Sequence, residues 1–226
     1  MIASPFVLAL VLALSLAAQD STAPPAAAAG EKTLSIIAGP AYPLDYCIVT
    51  GEKFSEAHPP YAYIRKGASN ARTILLANKD CVAKFEEKAD EYLAKIDAAV
   101  IATQKPTYPL EQCPVSGEPL DEGAVDYVYQ NRLVRFCCKG CISGFEKDPK
   151  SHLEKINRAI VEAQRDTYPL THCVVMPENE LEEDEAVDYV HGTQLVRFCC
   201  RRCITRFEAN PPLYLAKIRE IGKGAK

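Results

Sequence analysis

Between residues 107 and 224 the chain runs twice through the same course of apolar and polar positions. In the first pass Val125, Tyr127 and Tyr129 alternate with Asp126 and Val128, the two-residue period of a strand. Gln130-Asn131-Arg132 is polar turn material, and Leu133–Phe136 is the return strand. The second pass turns at His191-Gly192-Thr193, where glycine suits a positive φ. The period then changes from two to between three and four. A helix is predicted from about Cys141, with Ile142 and Phe145 on one face. A second helix follows, its apolar stripe formed by Leu153, Ile156, Ile160 and Ala163. Asp148 before Pro149, and Asn210 before Pro211, place an N-cap residue ahead of a proline at the first helical position.

The two passes are repeats in sequence as well as in pattern. Both open with Thr-Tyr-Pro-Leu-x-x-Cys, continue through Ala-Val-Asp-Tyr-Val and Leu-Val-Arg-Phe-Cys-Cys-x-x-Cys-Ile, and close with Phe-Glu, a proline and Leu-x-Lys-Ile. A third, degenerate copy precedes them from Ala41-Tyr42-Pro43-Leu44. It keeps Cys47, Cys81, Phe85-Glu86 and Leu93-Ala94-Lys95-Ile96. It has Leu76-Ala77-Asn78 where the others have Phe-Cys-Cys, and His58-Pro59-Pro60 lengthens its first half. No proline interrupts its helical segment, so residues 81–104 read as one long helix with Val82, Phe85, Tyr92, Leu93, Ile96 and Val100 as its stripe. The expected class is α+β, with modules at 41–106, 107–166 and 167–226, each a hairpin, a cysteine cluster and two helices. Tyr42, Tyr108 and Tyr168 are expected to pack each leading loop onto the preceding helix.

Units of about 60 residues are near the lower limit for a self-sustaining core, and metal, disulfide or neighbours usually staple them. A net charge of −4 and a pI near 5.7 argue against nucleic acid as a partner. Phe6–Ala18 is an apolar run ending in small residues, so 1–18 reads as a signal peptide, although no Lys or Arg precedes it. The run is too short for comfortable membrane insertion. Residues 19–40 begin rich in Ala, Pro, Ser and Thr and read as a flexible linker. Export, periplasmic or secreted, is therefore expected, and it makes disulfides admissible for all ten cysteines.

The cysteines carry the chemistry. In the second module Cys113 precedes the hairpin, and Cys137, Cys138 and Cys141 follow it; in the third, Cys173 precedes and Cys199, Cys200 and Cys203 follow. A hairpin returns its ends to one place, so the leading thiol approaches the cluster. Cys137 and Cys141 share a helix side by their i,i+4 spacing. Converging thiolates beside a helix start make a soft site suited to Zn²⁺ or Cu⁺.

This arrangement resembles the heavy-metal-associated zinc-ribbon modules called TRASH and YHS domains. Phe136-Cys137-x-x-x-Cys141-x-x-x-Phe145 and Phe198-Cys199-x-x-x-Cys203-x-x-x-Phe207 match their pattern, with Cys113 and Cys173 as the leading cysteine. The spacers of 23 and 25 residues are slightly long for it. The resemblance covers the second and third modules fully and the first in part. It implies a treble-clef-like fold and a role in binding, trafficking, storing or sensing metal, with a partner protein possible in metal transfer. Many such domains carry a further cysteine three residues after the first. Here Thr50, Ser116 and Met176 hold that position, so Cys138 and Cys200 are the candidates for a missing thiolate, and Met176 for a thioether ligand.

Two other readings stand beside metal binding. One is a structural disulfide framework built from the ten cysteines. Cys138-Lys139-Gly140-Cys141 and Cys200-Arg201-Arg202-Cys203 also read as redox pairs at helix starts, though the surrounding unit lacks thioredoxin-like length. In the degenerate module Cys47 and Cys81 are expected to pair as a disulfide closing a loop of about 33 residues. His58, His152, His172 and His191 read as surface residues, His172 being the best exception beside Cys173. Glu180–Glu185 reads as a solvated hairpin extension. No Ser/His/Asp set, phosphate loop or carboxylate pair stands out, so the chain is not expected to be an enzyme.

Overall fold

Three β-hairpins, each followed by a short and then a longer helix, make up the computed structural model, which describes residues 36–67 and 70–224. The expected signal peptide and most of the linker lie outside the described residues. The chain order is β1 (Ile37–Gly39), β2 (Tyr61–Arg65), β3 (Arg72–Leu76), α1 (Cys81–Glu87), α2 (Ala89–Gln104), β4 (Val125–Tyr129), β5 (Arg132–Phe136), α3 (Gly140–Lys147), α4 (Pro149–Gln164), β6 (Val187–His191), β7 (Gln194–Phe198), α5 (Arg202–Ala209) and α6 (Pro211–Gly224). The α+β class, the hairpins and the helix pairs follow the expected pattern. Among the described residues no helix is long and apolar enough to cross a membrane.

Hairpin register follows from the alternation. Val125 pairs with Phe136 and Tyr129 with Arg132, closing a two-residue turn in which Gln130 and Asn131 both have positive φ, at 49° and 60°. In the third module Gly192 takes the corresponding left-handed position, at 64°. One design recurs beneath all three hairpins. The phenylalanine of the Phe-Glu pair is fully buried, and its glutamate accepts the hydroxyl of a strand tyrosine. The pairs are Tyr63–Glu86 at 2.8 Å, Tyr127–Glu146 at 3.0 Å and Tyr189–Glu208 at 2.8 Å. Phe136 and Phe145 stand 5.5 Å apart in the second module, as do Phe198 and Phe207 in the third. These aromatic pairs hold the hairpin over the first helix, and thereby place the cysteines between them.

The helices depart from expectation in three places. Residues 81–104 are not one helix: Lys88, with φ −132° and ψ 34°, separates α1 from α2. The Lys88 amide donates to Phe85 O, just as Asp148 donates to Phe145 O and Asn210 to Phe207 O, each at 3.1 Å. The buried phenylalanine fixes where the helix must bend, so the break survives without proline. Asp148 caps α4 as expected, accepting from Ser151 N at 3.2 Å. Asn210 does not follow: its side-chain nitrogen donates to Ser55 O at 3.0 Å in the first module, and its side-chain oxygen is buried without a partner. On α4, Ile156, Ile160 and Val161 are buried, whereas Ala163 is exposed.

The three modules are not beads on a string. The described residues pack as one unit. The final residues of the expected linker form β1, which pairs in parallel with β6, Ile37 opposite Tyr189 and Gly39 opposite His191. Gln104, at the end of α2, reaches into the next module's hairpin. Its side-chain nitrogen donates to Asn131 O at 2.9 Å, and its oxygen accepts from Leu133 N at 2.9 Å. Gln164, at the end of α4, does the same to Thr193 O and Leu195 N of the third hairpin, at 2.8 and 2.9 Å. The tyrosines reinforce these joints. Tyr108 and Tyr168 pack against the preceding helix's cluster, and their hydroxyls accept from Arg135 N and Arg197 N of their own hairpins, at 3.2 and 3.1 Å.

Buried polar groups sit at the same junctions. Arg72 pairs with Asp97 at 2.6 Å and donates to Asn131 Oδ1 at 2.9 Å. Arg132 donates to Asn157 Oδ1 at 2.6 Å and to Gly192 O at 3.3 Å. Gly192 is tightly placed: a Cβ there would lie 2.9 Å from the Gln104 side chain. His191, expected at the surface, is instead buried against Phe207, with its Nδ1 unpartnered. Burial, and secondarily the charge of Arg132, push its pKa down to about 4, so it is neutral at physiological pH.

Candidate metal centres

A short knuckle opens each module and presents the leading cysteine inward. In the second module the Cys113 amide donates to Glu118 O at 2.7 Å and its carbonyl accepts from Gly117 N at 2.9 Å. Gly117 has φ 78°, which closes the knuckle tightly. In the third, the Cys173 amide donates to Asn179 O at 2.9 Å. Cys137 and Cys199 follow directly on β5 and β7. Cys141 and Cys203 lie in the first turn of α3 and α5. Three separate elements therefore contribute one thiol each.

The structure brings together Cys113, Cys137 and Cys141, and again Cys173, Cys199 and Cys203. Within each set all sulfurs lie within 4.8 Å of one another. The Cys137–Cys141 and Cys199–Cys203 separations are both 3.7 Å. Thiolates bound about 2.3 Å from one ion stand about 3.8–4.0 Å apart, so each set matches a three-thiolate cradle with little movement. Either triad could hold a metal ion. Both are rooted in the core, since Cys113, Cys173 and Cys203 are buried.

Cys138 and Cys200 fall outside these sets. Cys138 is exposed and lies 3.9 Å from Cys141; Cys200 is half-buried and lies 3.7 Å from Cys203. Each neighbours the two cluster thiols of its own module but does not complete a set with the leading cysteine. Ser116, at the position of the absent knuckle cysteine, sets its hydroxyl 3.3 Å from Cys137 Sγ. In the third module Asn179, a residue that the spacing does not single out, donates to Cys199 Sγ at 3.4 Å and approaches Met176 Sδ at 3.9 Å. The only sequence signal for it is its place in the same knuckle.

The thiols differ in acidity. At Cys113 burial opposes ionisation, but hydrogen bonds from the Ser116 side chain and from the Ser116, Cys137 and Val115 amides outweigh it and bring the pKa to about 6. Cys173 is lowered in the same sense, burial again opposing the Cys199, Met176 and Val175 amides. Burial, then the neighbouring Cys137, push Cys141 up to about 12. Burial, then Cys199, push Cys203 up as well. In each triad the leading thiol thus ionises more readily than the thiol in the helix. Cys138 is drawn down chiefly by the Gly140 amide at the start of α3, and Cys200 by the Cys203 amide.

The degenerate module keeps the pocket without the cluster. Cys47 and Cys81 are both buried and unbonded in this structure. Besides burial, the charge of Cys47 and its hydrogen bond raise Cys81, so the two thiols are neighbours. Cys81 Sγ also donates to Asn78 Oδ1 at 3.5 Å, the residue that replaces the second cysteine of the pair. The histidines do not join any triad. His152 Nδ1 stands 3.0 Å from Pro114 O, His172 Nδ1 stands 3.0 Å from Thr171 Oγ1, and His58 is exposed.

No family model matches the chain, and no curated protein and no solved structure is significantly similar to it.

Proposed function

We propose that this is a non-enzymatic metal-binding protein that holds soft ions, Zn²⁺ or Cu⁺, in two thiolate triads for trafficking, storage or sensing. One observation carries the reading: the same three-thiol cradle is built twice, from the same three elements, at the same 3.7 Å spacing across the helix start. A disulfide framework would use two sulfurs per bond and would not need a third converging on each pair. Soft sulfur donors without carboxylate or imidazole select thiophilic ions over Ca²⁺ or Mg²⁺. The resemblance to TRASH and YHS modules supports a role in handling metal, and the reading of residues 1–18 as an export signal supports a periplasmic or secreted setting. The degenerate module, having lost Cys137 and Cys138 equivalents to Ala77 and Asn78, serves as scaffold.

The test is metal stoichiometry of protein purified under reducing conditions. About two equivalents of Zn²⁺ or Cu⁺ per chain are expected, one per intact triad. Complete pairing of all ten cysteines, with no uptake after reduction, would reject the proposal.

A further inference from the structure

Each intact module carries a fourth thiol that a three-thiolate cradle does not use, and it occupies the same place both times. Cys138 follows Cys137 and lies 3.9 Å from Cys141; Cys200 follows Cys199 and lies 3.7 Å from Cys203. These separations equal the spacing of two sulfurs on one ion. Yet neither thiol belongs to the set in which all sulfurs lie within 4.8 Å of each other. The fourth sulfur can therefore bind a metal ion that Cys141 or Cys203 also binds, but only once the ion has moved away from the buried leading cysteine. That cysteine, Cys113 or Cys173, is almost fully enclosed, whereas Cys138 is exposed. The line from triad to fourth thiol thus runs from core to solvent in the second module, and from the buried Cys173 to the half-buried Cys200 in the third.

Resting on the reading of the triads as metal sites, we infer that Cys138 and Cys200 are transfer ligands. They carry the ion out of the cradle to a thiol-bearing acceptor rather than holding it at rest. The step is a ligand exchange. The Cys138 thiol gives its proton to solvent, and its thiolate forms a bond to the ion as the ion's bond to Cys113 breaks. The Cys113 thiolate left behind takes a proton from solvent. An incoming acceptor thiolate then bonds to the ion on its exposed side, the bonds to Cys137, Cys141 and Cys138 break in turn as further acceptor donors replace them, and the released thiolates take protons from solvent. No electron changes hands. The third module performs the same exchange through Cys200 and Cys203. The adjacency of two cysteines, which makes a poor pair of co-ligands for one ion in a fixed cradle, suits this sequential use.

The experiment compares the Zn²⁺-loaded wild-type protein with the Cys138→Ser/Cys200→Ser double variant. A chromophoric thiol chelator in excess serves as acceptor. Transfer rate is followed by absorbance, and affinity is measured separately by competition at equilibrium. The expected result is a transfer rate that rises with chelator concentration in the wild type and falls about ten-fold in the variant. Affinity should stay within about three-fold, since loss of a resident ligand or of its support costs 10-fold or more. An unchanged transfer rate overturns the inference. So does a loss of affinity that accounts for the altered rate, because it would make these thiols resident ligands. Co²⁺ substitution supplies an independent check: the thiolate charge-transfer band at rest should have equal intensity in both proteins. A weaker band in the variant overturns the inference in the same way. Failure of the wild type to bind Zn²⁺ at all would instead reject the triads as metal sites, a result separable from either of these.

Discussion

At Cys137 and Cys141 the chain commits two thiols, four positions apart, to the same side of a helix start, and Cys113 meets them from a knuckle. Removing any one leaves two sulfurs, which is too few to enclose an ion. Cys137→Ser and Cys141→Ser should each abolish binding in the second module while leaving the third loaded, so that elemental analysis falls from about two equivalents to about one. Retention of both equivalents would show that the triad is not the site. His191 supports a second prediction at this scale. Its buried ring is neutral with a pKa near 4, whereas in the unfolded chain it titrates at its ordinary, higher value. Stability from this residue is therefore complete above the unfolded pKa and is lost as pH falls from there through about 4. The loss is on the order of 3 kcal/mol across that window. His191→Phe keeps the ring against Phe207 and should flatten that part of the acid dependence. Urea unfolding of the metal-free proteins at a series of pH values measures it, and parallel curves for the two would contradict the burial argument.

Joints between elements explain what the apolar pattern conceals. Gln104 and Gln164 each satisfy one donor and one acceptor at the neck of the next hairpin. Gln104→Ala would strand Asn131 O and Leu133 N in a buried place, at a cost of about 2–3 kcal/mol. A change below about 0.5 kcal/mol in denaturant unfolding would show that water replaces the glutamine without loss. The hairpins and the cysteine framework were legible in the sequence because they depend on local period and spacing. The helix break at Lys88 was not, because the buried Phe85 imposes it from tertiary packing rather than from proline. Nor was the burial of His191, since the turn it borders looks polar and becomes internal only when Gln104 and Gly192 close over it. The glutamines left a trace that could have been read: each stands four residues before a Tyr-Pro pair, at the same point in two repeats. The location of the triads was legible. The peripheral placing of Cys138 and Cys200 was not, because sequence adjacency says nothing of which neighbour faces inward.

On the scale of the molecule, three weakly self-sufficient modules become one body through these joints. The three modules should unfold in a single cooperative transition when metal-free, with coincident circular dichroism and tyrosine fluorescence curves. Separate transitions for the modules would mean that the junctions at Gln104, Gln164 and β1 contribute little. The strand β1 has a further consequence. Ile37 emerges from the ribosome among the earliest residues of the folded body, yet its partner Tyr189 is among the later ones. Until the third module has been made, that edge has nothing to pair with, and loop closure over so long a separation is slow. A chain interrupted after the second module would carry a complete set of thiols at Cys113, Cys137 and Cys141 but an unsealed margin. The folded body is thus closed by its third module, and a chain that has made only the first two is an incomplete, thiol-bearing intermediate.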